Sequence, residues 1–178
     1  MRIIGGRWRG RRLTPVRARG VRPTTDRVRE AWMSAMGGRF DGLKVVDLFA
    51  GSGALGLECL SRGAAHCTFV ESAPPSLRVL EANIALVDAA AQCRIVRSDV
   101  ARYLDRPGGE LFDLALADPP YGQGWAARLL ERFTREPFAS EFWVEHASNE
   151  DLPEVPGLRT RRYGDTSLST LTAAESSS

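Results

Sequence analysis

Asp118-Pro119-Pro120-Tyr121 gathers a carboxylate, two proline carbonyls free of competing amide donors, and an aromatic ring. Those groups suit a planar substrate that carries an amino group. The Asp118 side chain and the Pro119 carbonyl can each accept one of its N–H bonds, while Tyr121 offers a face for stacking. An amino nitrogen held this way keeps its lone pair out of the ring and becomes a nucleophile. Stacking needs only the ring, so a Tyr121→Phe change is expected to be mild. Surface turns also use Pro-Pro and Pro-Tyr pairs, so the weight of the motif depends on the elements around it.

Phe112–Ala117, immediately upstream, has the length and apolar content of a buried parallel strand. Two prolines end it, because neither donates a ladder hydrogen bond and each restrains the residue before it. The motif therefore lies at a strand's C-terminal edge, where open α/β sheets bind ligands. The rest of the chain alternates in the same sense. Leu43–Phe49 is predicted as a strand and Ala54–Arg62 as a helix stopped by Gly63. His66–Glu71 is the next strand, and Ser72 caps a helix with Pro74 and Pro75 in its first turn. Arg94–Arg97 is a third strand, followed by Ser98-Asp99-Val100 and a short helix. Gly124–Phe133 is helical and Phe142–Glu145 is a strand. Leu158–Tyr163 and Thr166–Thr172 form an antiparallel pair closing one edge, and residues 173–178 are expected to be a disordered tail. The fold class is α/β, with a mostly parallel sheet covered by helices on both faces.

Gly51-x-Gly53-x-x-Gly56 follows the first strand, and Glu71 ends the second, 20 residues after Gly51. This formally meets the dinucleotide fingerprint, which brings a nicotinamide oxidoreductase into consideration. Two acids argue otherwise. Asp47 lies inside the strand, badly placed for a pyrophosphate and well placed for an amino-bearing ligand. Asp99, after the third strand, suits an adenine amino group. With Glu71 available to ribose hydroxyls, an adenosine carrying a charged amino-acid tail satisfies all three acids, which describes S-adenosylmethionine.

The net charge of +2 conceals an asymmetry. Residues 1–29 carry ten arginines against Asp26 alone, or +9, while the remaining 149 residues carry −7. A basic arm on an acidic body is the signature of a polyanion-binding protein, and arginine favours bidentate phosphate contact. Residues 1–21 are predicted as a hairpin arm of two short strands, presenting Arg2, Arg7, Arg9, Arg11 and Arg12, with Trp8 pinning it to the domain. A helix then begins at Thr24 or Thr25, with Asp26 in its first turn and Val28, Ala31, Trp32, Ala35 and Met36 facing the core. Arg27 and Arg29 fall off that stripe and are expected to reach a ligand. At 178 residues the chain fits one main domain, 22–172, burying about 70% of its extended surface. Cys59, Cys67 and Cys93 lack ligand spacing and are expected to be reduced core residues, so no metal is predicted. No signal peptide or membrane span is visible.

Asp47-x-Phe49-Ala50-Gly51-Ser52-Gly53, the acid Glu71, Asp99 and Asp118-Pro119-Pro120-Tyr121 resemble the class I methyltransferases that act on amino groups. The stretches 2–6, 22–30 (Arg-Pro-Thr-Thr-Asp-Arg-Val-Arg-Glu) and 50–58 are more narrowly similar to the bacterial RsmD family. This resemblance covers nearly the whole chain, Tyr163-Gly164-Asp165-Thr166 included. It implies a seven-stranded sheet and methyl transfer to N2 of a guanine, position 966, in 16S ribosomal RNA. The cofactor would be held by Thr24, Thr25, Asp47, Phe49, Ala50, Gly51, Ser52, Gly53, Glu71, Ser72, Asp99, Val100 and Asp118, with Thr24-Thr25-Asp26 closing over its methionine end. Asp118, Pro119, Pro120 and Tyr121 would be catalytic. RNA would be met by Arg2, Arg7, Arg9, Arg11, Arg12, Arg22, Arg27 and Arg29. The expected partner is 16S rRNA or the assembling 30S subunit, for a cytoplasmic monomer. Rival readings are a DNA adenine methyltransferase, a protein-glutamine methyltransferase using a related Pro-Pro-Tyr motif, and a non-catalytic RNA-binding assembly factor. The segment after Thr166 lacks the long side chains usual in the family, which puts its edge pairing in question.

Overall fold

The strands with the least polar sequence lie at the centre of the sheet. In β1 (Lys44–Leu48) every residue after the first is buried, and in β4 (Phe112–Ala117) all but Asp113 are. Such runs suit strands covered on both faces. The computed structural model describes residues 1–17 and 25–174. β2 (His66–Glu71) and β3 (Cys93–Arg97) extend the sheet on one side of β1; β5 (Ala139–Ala147), β7 (Thr166–Thr172) and β6 (Arg159–Tyr163) extend it beyond β4. The order is β3-β2-β1-β4-β5-β7-β6. The first five strands are parallel, and β7 runs antiparallel to both β5 and β6. This is the expected mostly parallel sheet with an antiparallel edge. The edge pairing questioned above is complete, with β7 matched to β5 from Thr166 to Thr172. β5 is longer than predicted because each of its residues from Glu141 to Ala147 finds a partner there.

Two apolar layers enclose the sheet. α1 (Asp26–Ala35), α2 (Ala54–Ser61) and α3 (Pro74–Leu86) build one with Trp32, Leu57, Leu60, Leu80 and Ile84. α4 (Val100–Leu104) and α5 (Trp125–Arg135) build the other with Leu104, Leu129, Leu130 and Phe133. All eight residues of α2 are buried, Glu58 and Ser61 included. What covers them is the N-terminal arm.

The arm forms a hairpin only in outline. Among the described residues its strands pair only around the Arg2–Arg12 bridge, with Ile3 N donating to Arg11 O at 3.0 Å, Gly10 N to Ile3 O at 2.8 Å and Leu13 N to Met1 O at 3.0 Å, and residues 5–10 are bends and turns. The pairing extends no further because α2 takes the next backbone donors, those of Ile4, Gly5, Arg7 and Trp8. The Glu58 carboxylate accepts from Ile4 N at 2.9 Å and Gly5 N at 2.8 Å, and Ser61 O accepts from Arg7 N at 2.8 Å. Ile3 and Leu13 enter the same core layer as α2, which ties the arm to the sheet. Gly6 is required at the contact: its φ is +76°, and a Cβ there would lie 1.9 Å from Ser61 O. Trp8 packs against this layer, as predicted, and its backbone N–H donates to Ser61 Oγ at 3.0 Å.

Two further expectations are corrected. Ser72 does not cap α3: the N-cap is Ala73, which has no side-chain acceptor, and the positions a Ser72 cap would serve, Pro74 and Pro75, carry no N–H. Glu71 Oε1 instead accepts from both Ser72 N and Ala73 N at 2.8 Å. The tail does not begin at residue 173: Ala173 N donates to Ser140 O at 2.9 Å, prolonging the β5–β7 pairing. Residues 175–178 lie outside the described residues.

Candidate active site

The sheet's register aligns the chemical groups before any side chain is considered. Leu48 pairs with Val70 and with Ala117, Glu71 with Arg97, and Ala117 with Val144. The residues that follow are therefore neighbours along one C-terminal edge: Phe49 and its glycine loop, Glu71, Asp99, Asp118 and Glu145. Chain order reverses between β1 and β4, the position at which open α/β sheets form their ligand crevice.

Phe49 has φ +59°, a rare and strained conformation for a bulky residue, and its ring meets Trp125 edge-on at 4.9 Å. That bend ends β1 abruptly and begins the loop. Ala50 N then donates to Val70 O, and Gly51 N donates to Glu71 Oε2 at 2.8 Å. Gly53 has φ +80°, and a Cβ on it would come within 2.4 Å of Leu80 Cδ1, so only glycine lets α2 start against α3. Asn83 fixes the loop from α3, its Nδ2 donating to Ser52 O and to Thr14 O, both at 2.9 Å.

Asp47 is 1% exposed, and its Oδ2 accepts from Gly56 N at 3.0 Å. Burial pushes its pKa well above the ordinary carboxylate value; the Gly56 bond opposes this, while the charges of Asp118 and Glu71 add to it. Three carboxylates thus act on one another at one edge. A cationic ligand relieves that repulsion and a pyrophosphate aggravates it. Asp99 N-caps α4, its Oδ1 accepting from Ala101 N at 2.9 Å and Arg102 N at 3.3 Å, and it remains exposed beside buried Val100. Ser72 is exposed at the end of β2. Thr25 caps α1, accepting from Val28 N at 3.3 Å. Thr24 and Arg22 lie outside the described residues.

At the end of β4, Asp118 is half-buried, Pro119 buried and Pro120 exposed. Tyr121 is 42% exposed, and its hydroxyl is bound at both sides: it donates to Glu145 Oε1 at 2.6 Å and meets Thr166 Oγ1 at 2.9 Å. Beside the ring that was expected to stack, the structure therefore gives Tyr121 a hydroxyl with two partners. Glu145 escaped the sequence reading; its signal was a lone carboxylate ending the apolar run Phe142-Trp143-Val144.

The basic residues separate into two groups. Arg2, Arg9, Arg11, Arg12 and Arg27 are exposed. Arg7 is exposed too, stacked 4.1 Å over Trp8 and bonded to Gln92. Arg29 corrects the prediction, being 0% exposed. Its Nη2 donates to Arg2 O at 2.6 Å and pairs with Asp26, so it joins α1 to the arm and cannot meet RNA at the surface. The Arg7 end of the arm borders a crevice of about 580 Å³, which Arg39 and Arg62 also line, at the N-terminal end of the strands. That crevice is remote from the chemistry, which sits at the opposite edge.

An α/β sheet with β7 inserted antiparallel, a glycine loop after β1, an acid ending β2 and Asp-Pro-Pro-Tyr after β4 define a class I, S-adenosylmethionine-dependent methyltransferase. The antiparallel β7 also removes the nicotinamide alternative, whose sheet is parallel in the order 3-2-1-4-5-6. Residues 1–172 match the family described as conserved hypothetical protein 95. The chain is 36% identical over 159 residues to ribosomal RNA small subunit methyltransferase D of Escherichia coli K12, spanning 88% of this chain and 79% of that protein. It is 27% identical to the solved structure of hypothetical protein TTHA0928 from Thermus thermophilus, with a TM-score of 0.81 over 97% of this chain and 99% of that one. It shares its fold with the T. thermophilus 16S rRNA N2 G1207 methyltransferase (RsmC), solved in complex with AdoMet and guanosine, at 22% identity and a TM-score of 0.64 over 88% of this chain and 44% of that one. The chain belongs to the RsmD-like family of methyltransferases.

Proposed function

We propose that this chain methylates the exocyclic N2 of guanine 966 in 16S rRNA, on the rRNA or the assembling small subunit, in the cytoplasm. The observation that carries the reading is the juxtaposition of Asp118-Pro119-Pro120-Tyr121 with the glycine loop and its acids across the β1–β4 switch point. The name of the E. coli relative supports the substrate class, and the exposed arginines of the arm support a polyanionic partner. Among the described residues, no helix is long and apolar enough to cross a membrane, and no cluster of His, Cys, Asp or Glu could hold a metal.

S-adenosylmethionine, when bound, supplies a methyl group already activated on a sulfonium. Asp47, Glu71 and Asp99 would hold it, with the Gly51–Gly53 backbone approaching closely and Thr24-Thr25 at its methionine end. The chain's remaining task is alignment. Asp118 and the Pro119 carbonyl accept the two N–H bonds of the guanine amino group, and Tyr121 stacks on the ring. As the amino nitrogen takes up the methyl group that the cofactor would supply, Asp118 would be placed to accept the proton that the nitrogen must release. The target guanine must leave its stack to reach this edge, so the arm would grip the RNA around it. The deciding experiment is mass spectrometry of 16S rRNA from cells lacking the chain. One N2-methylguanine should be missing and should return with the wild-type gene but not with Asp118→Ala. An unchanged complement of methylguanines would refute the assignment.

The arm makes a separate prediction. Alanine at Arg7, Arg9, Arg11 and Arg12 together should weaken RNA binding while S-adenosylmethionine affinity stays unchanged. Each phosphate that the arm no longer grips should flatten the slope of log affinity against log salt by about 0.7 for single-stranded RNA. Filter binding across a salt series measures this, and an unmoved slope would make the arm a cover for α2 only.

A further inference from the structure

The two prolines stiffen the backbone up to Tyr121, yet they leave its side chain free to rotate about two torsions. What holds the ring is its hydroxyl. Glu145 Oε1 accepts from that hydroxyl at 2.6 Å, and Thr166 Oγ1 lies 2.9 Å from it. The other Glu145 oxygen, Oε2, accepts from Trp32 Nε1 at 2.9 Å, a bond buried within the protein. Glu145 is 4% exposed and Trp32 0%, so this carboxylate is anchored in the core while the ring it holds is 42% exposed. The β4–β5 register sets Glu145 beside Asp118, and the β5–β7 pairing brings Thr166 to the same edge.

We propose that Glu145 is a positioning residue for the acceptor base, holding Tyr121 by its hydroxyl so that the ring stands ready as a stacking face. The proposal deepens the function above and rests on Tyr121 stacking against the target guanine. A neutral acceptor would satisfy Trp32 alone, and burying a full carboxylate for one indole is unfavourable. The second oxygen gives the charge its use. Its bond to Tyr121 is charge-assisted, hence short and directional. Burial and the Glu145 carboxylate both raise the Tyr121 pKa, so the hydroxyl keeps its proton and remains a donor. A ring fixed before the base arrives loses little rotational freedom on stacking. Because Trp32 belongs to α1, Glu145 also ties the base edge to the helix that Thr25 caps.

Single-turnover methylation of small subunits isolated from cells lacking the chain tests this, with the full-length protein saturated in S-adenosylmethionine. Tyr121→Phe and Glu145→Ala should each slow transfer by about 10- to 100-fold, the scale of a misplaced reactant. Cofactor affinity by calorimetry should hold. The double variant should lose no more than the worse single variant, and Glu145→Gln, which can still bond both partners, should recover most of the rate. Glu145→Ala strips Trp32 of its acceptor and can unfold the chain, so Thr166→Val is measured beside it and should give a smaller loss in the same direction. A wild-type rate in Tyr121→Phe, or losses that multiply in the double variant, would overturn the proposal. If the wild-type chain moved no methyl at all, the functional reading would fail, and the tether would be decided without turnover. The indole N–H resonance of Trp32, assigned with Trp32→Phe, should shift in Tyr121→Phe; an unmoved resonance would show that Glu145 serves Trp32 only.

Discussion

Replacing Asp118 with alanine is expected to slow single-turnover methyl transfer by about 10²- to 10³-fold, the loss typical of one polar contact made in the transition state. RNA affinity should change little. Cofactor affinity should fall far less than the rate, because Asp47, Glu71 and Asp99 remain. Asp118→Asn separates alignment from charge. It keeps an acceptor oxygen for the amino group but cannot take its proton, so it should retain more activity than the alanine variant if alignment dominates. Equal losses in the two variants would instead make proton acceptance the main role of Asp118. Single-turnover rates of both variants, set against calorimetric cofactor affinities, decide between these outcomes.

Glu58→Ala should cost the chain a large part of its stability. The Glu58 carboxylate is 0% exposed, accepts from Ile4 N and Gly5 N, and forms an ion pair with Arg62 Nε at 2.9 Å. Its removal leaves two backbone donors without their partner and separates Arg62 from its counter-charge. Breaking a buried pair from one side costs about 3–5 kcal/mol. For a chain of this size that lowers the melting temperature by roughly 10 °C. Glu58→Gln retains one acceptor oxygen and should lose less. Thermal melts of both variants, with limited proteolysis at the arm, test the assignment. A loss below about 1 kcal/mol would be ordinary for a surface site and would leave Ile3 and Leu13 as the arm's real attachment.

Much of the site was legible because its signals are local. Strand followed by glycine loop, acids at three strand ends and the two prolines after β4 each depend on neighbours a few residues away. Apolar runs in β1, β2 and β4 indicate burial on both faces wherever those strands are placed, so the parallel sheet followed from them. Two expectations fail for physical reasons of different range. Arg29 lies off the apolar stripe of α1, and in an isolated helix it would face solvent; the arm and Asp26 bury it. Ser72 has the chemistry of a cap, but Pro74 and Pro75 leave it no N–H to accept from. The partners of the Tyr121 hydroxyl, 24 and 45 residues away, have no signal in the local pattern.

The sequence by itself determined the α/β class, the order of the elements, which groups stand at the end of β4 and the charge of the arm, since periodicity, turn residues and formal charge are carried by short segments. Only the tertiary structure decided which polar groups are left for ligands. Glu58, Asn83, Arg29 and Glu145 are all spent inside the protein, and each is spent on a partner from a distant segment. A hydrogen bond in the interior goes to whichever donor the fold brings within about 3 Å, and chain separation leaves no trace of that choice in local pattern.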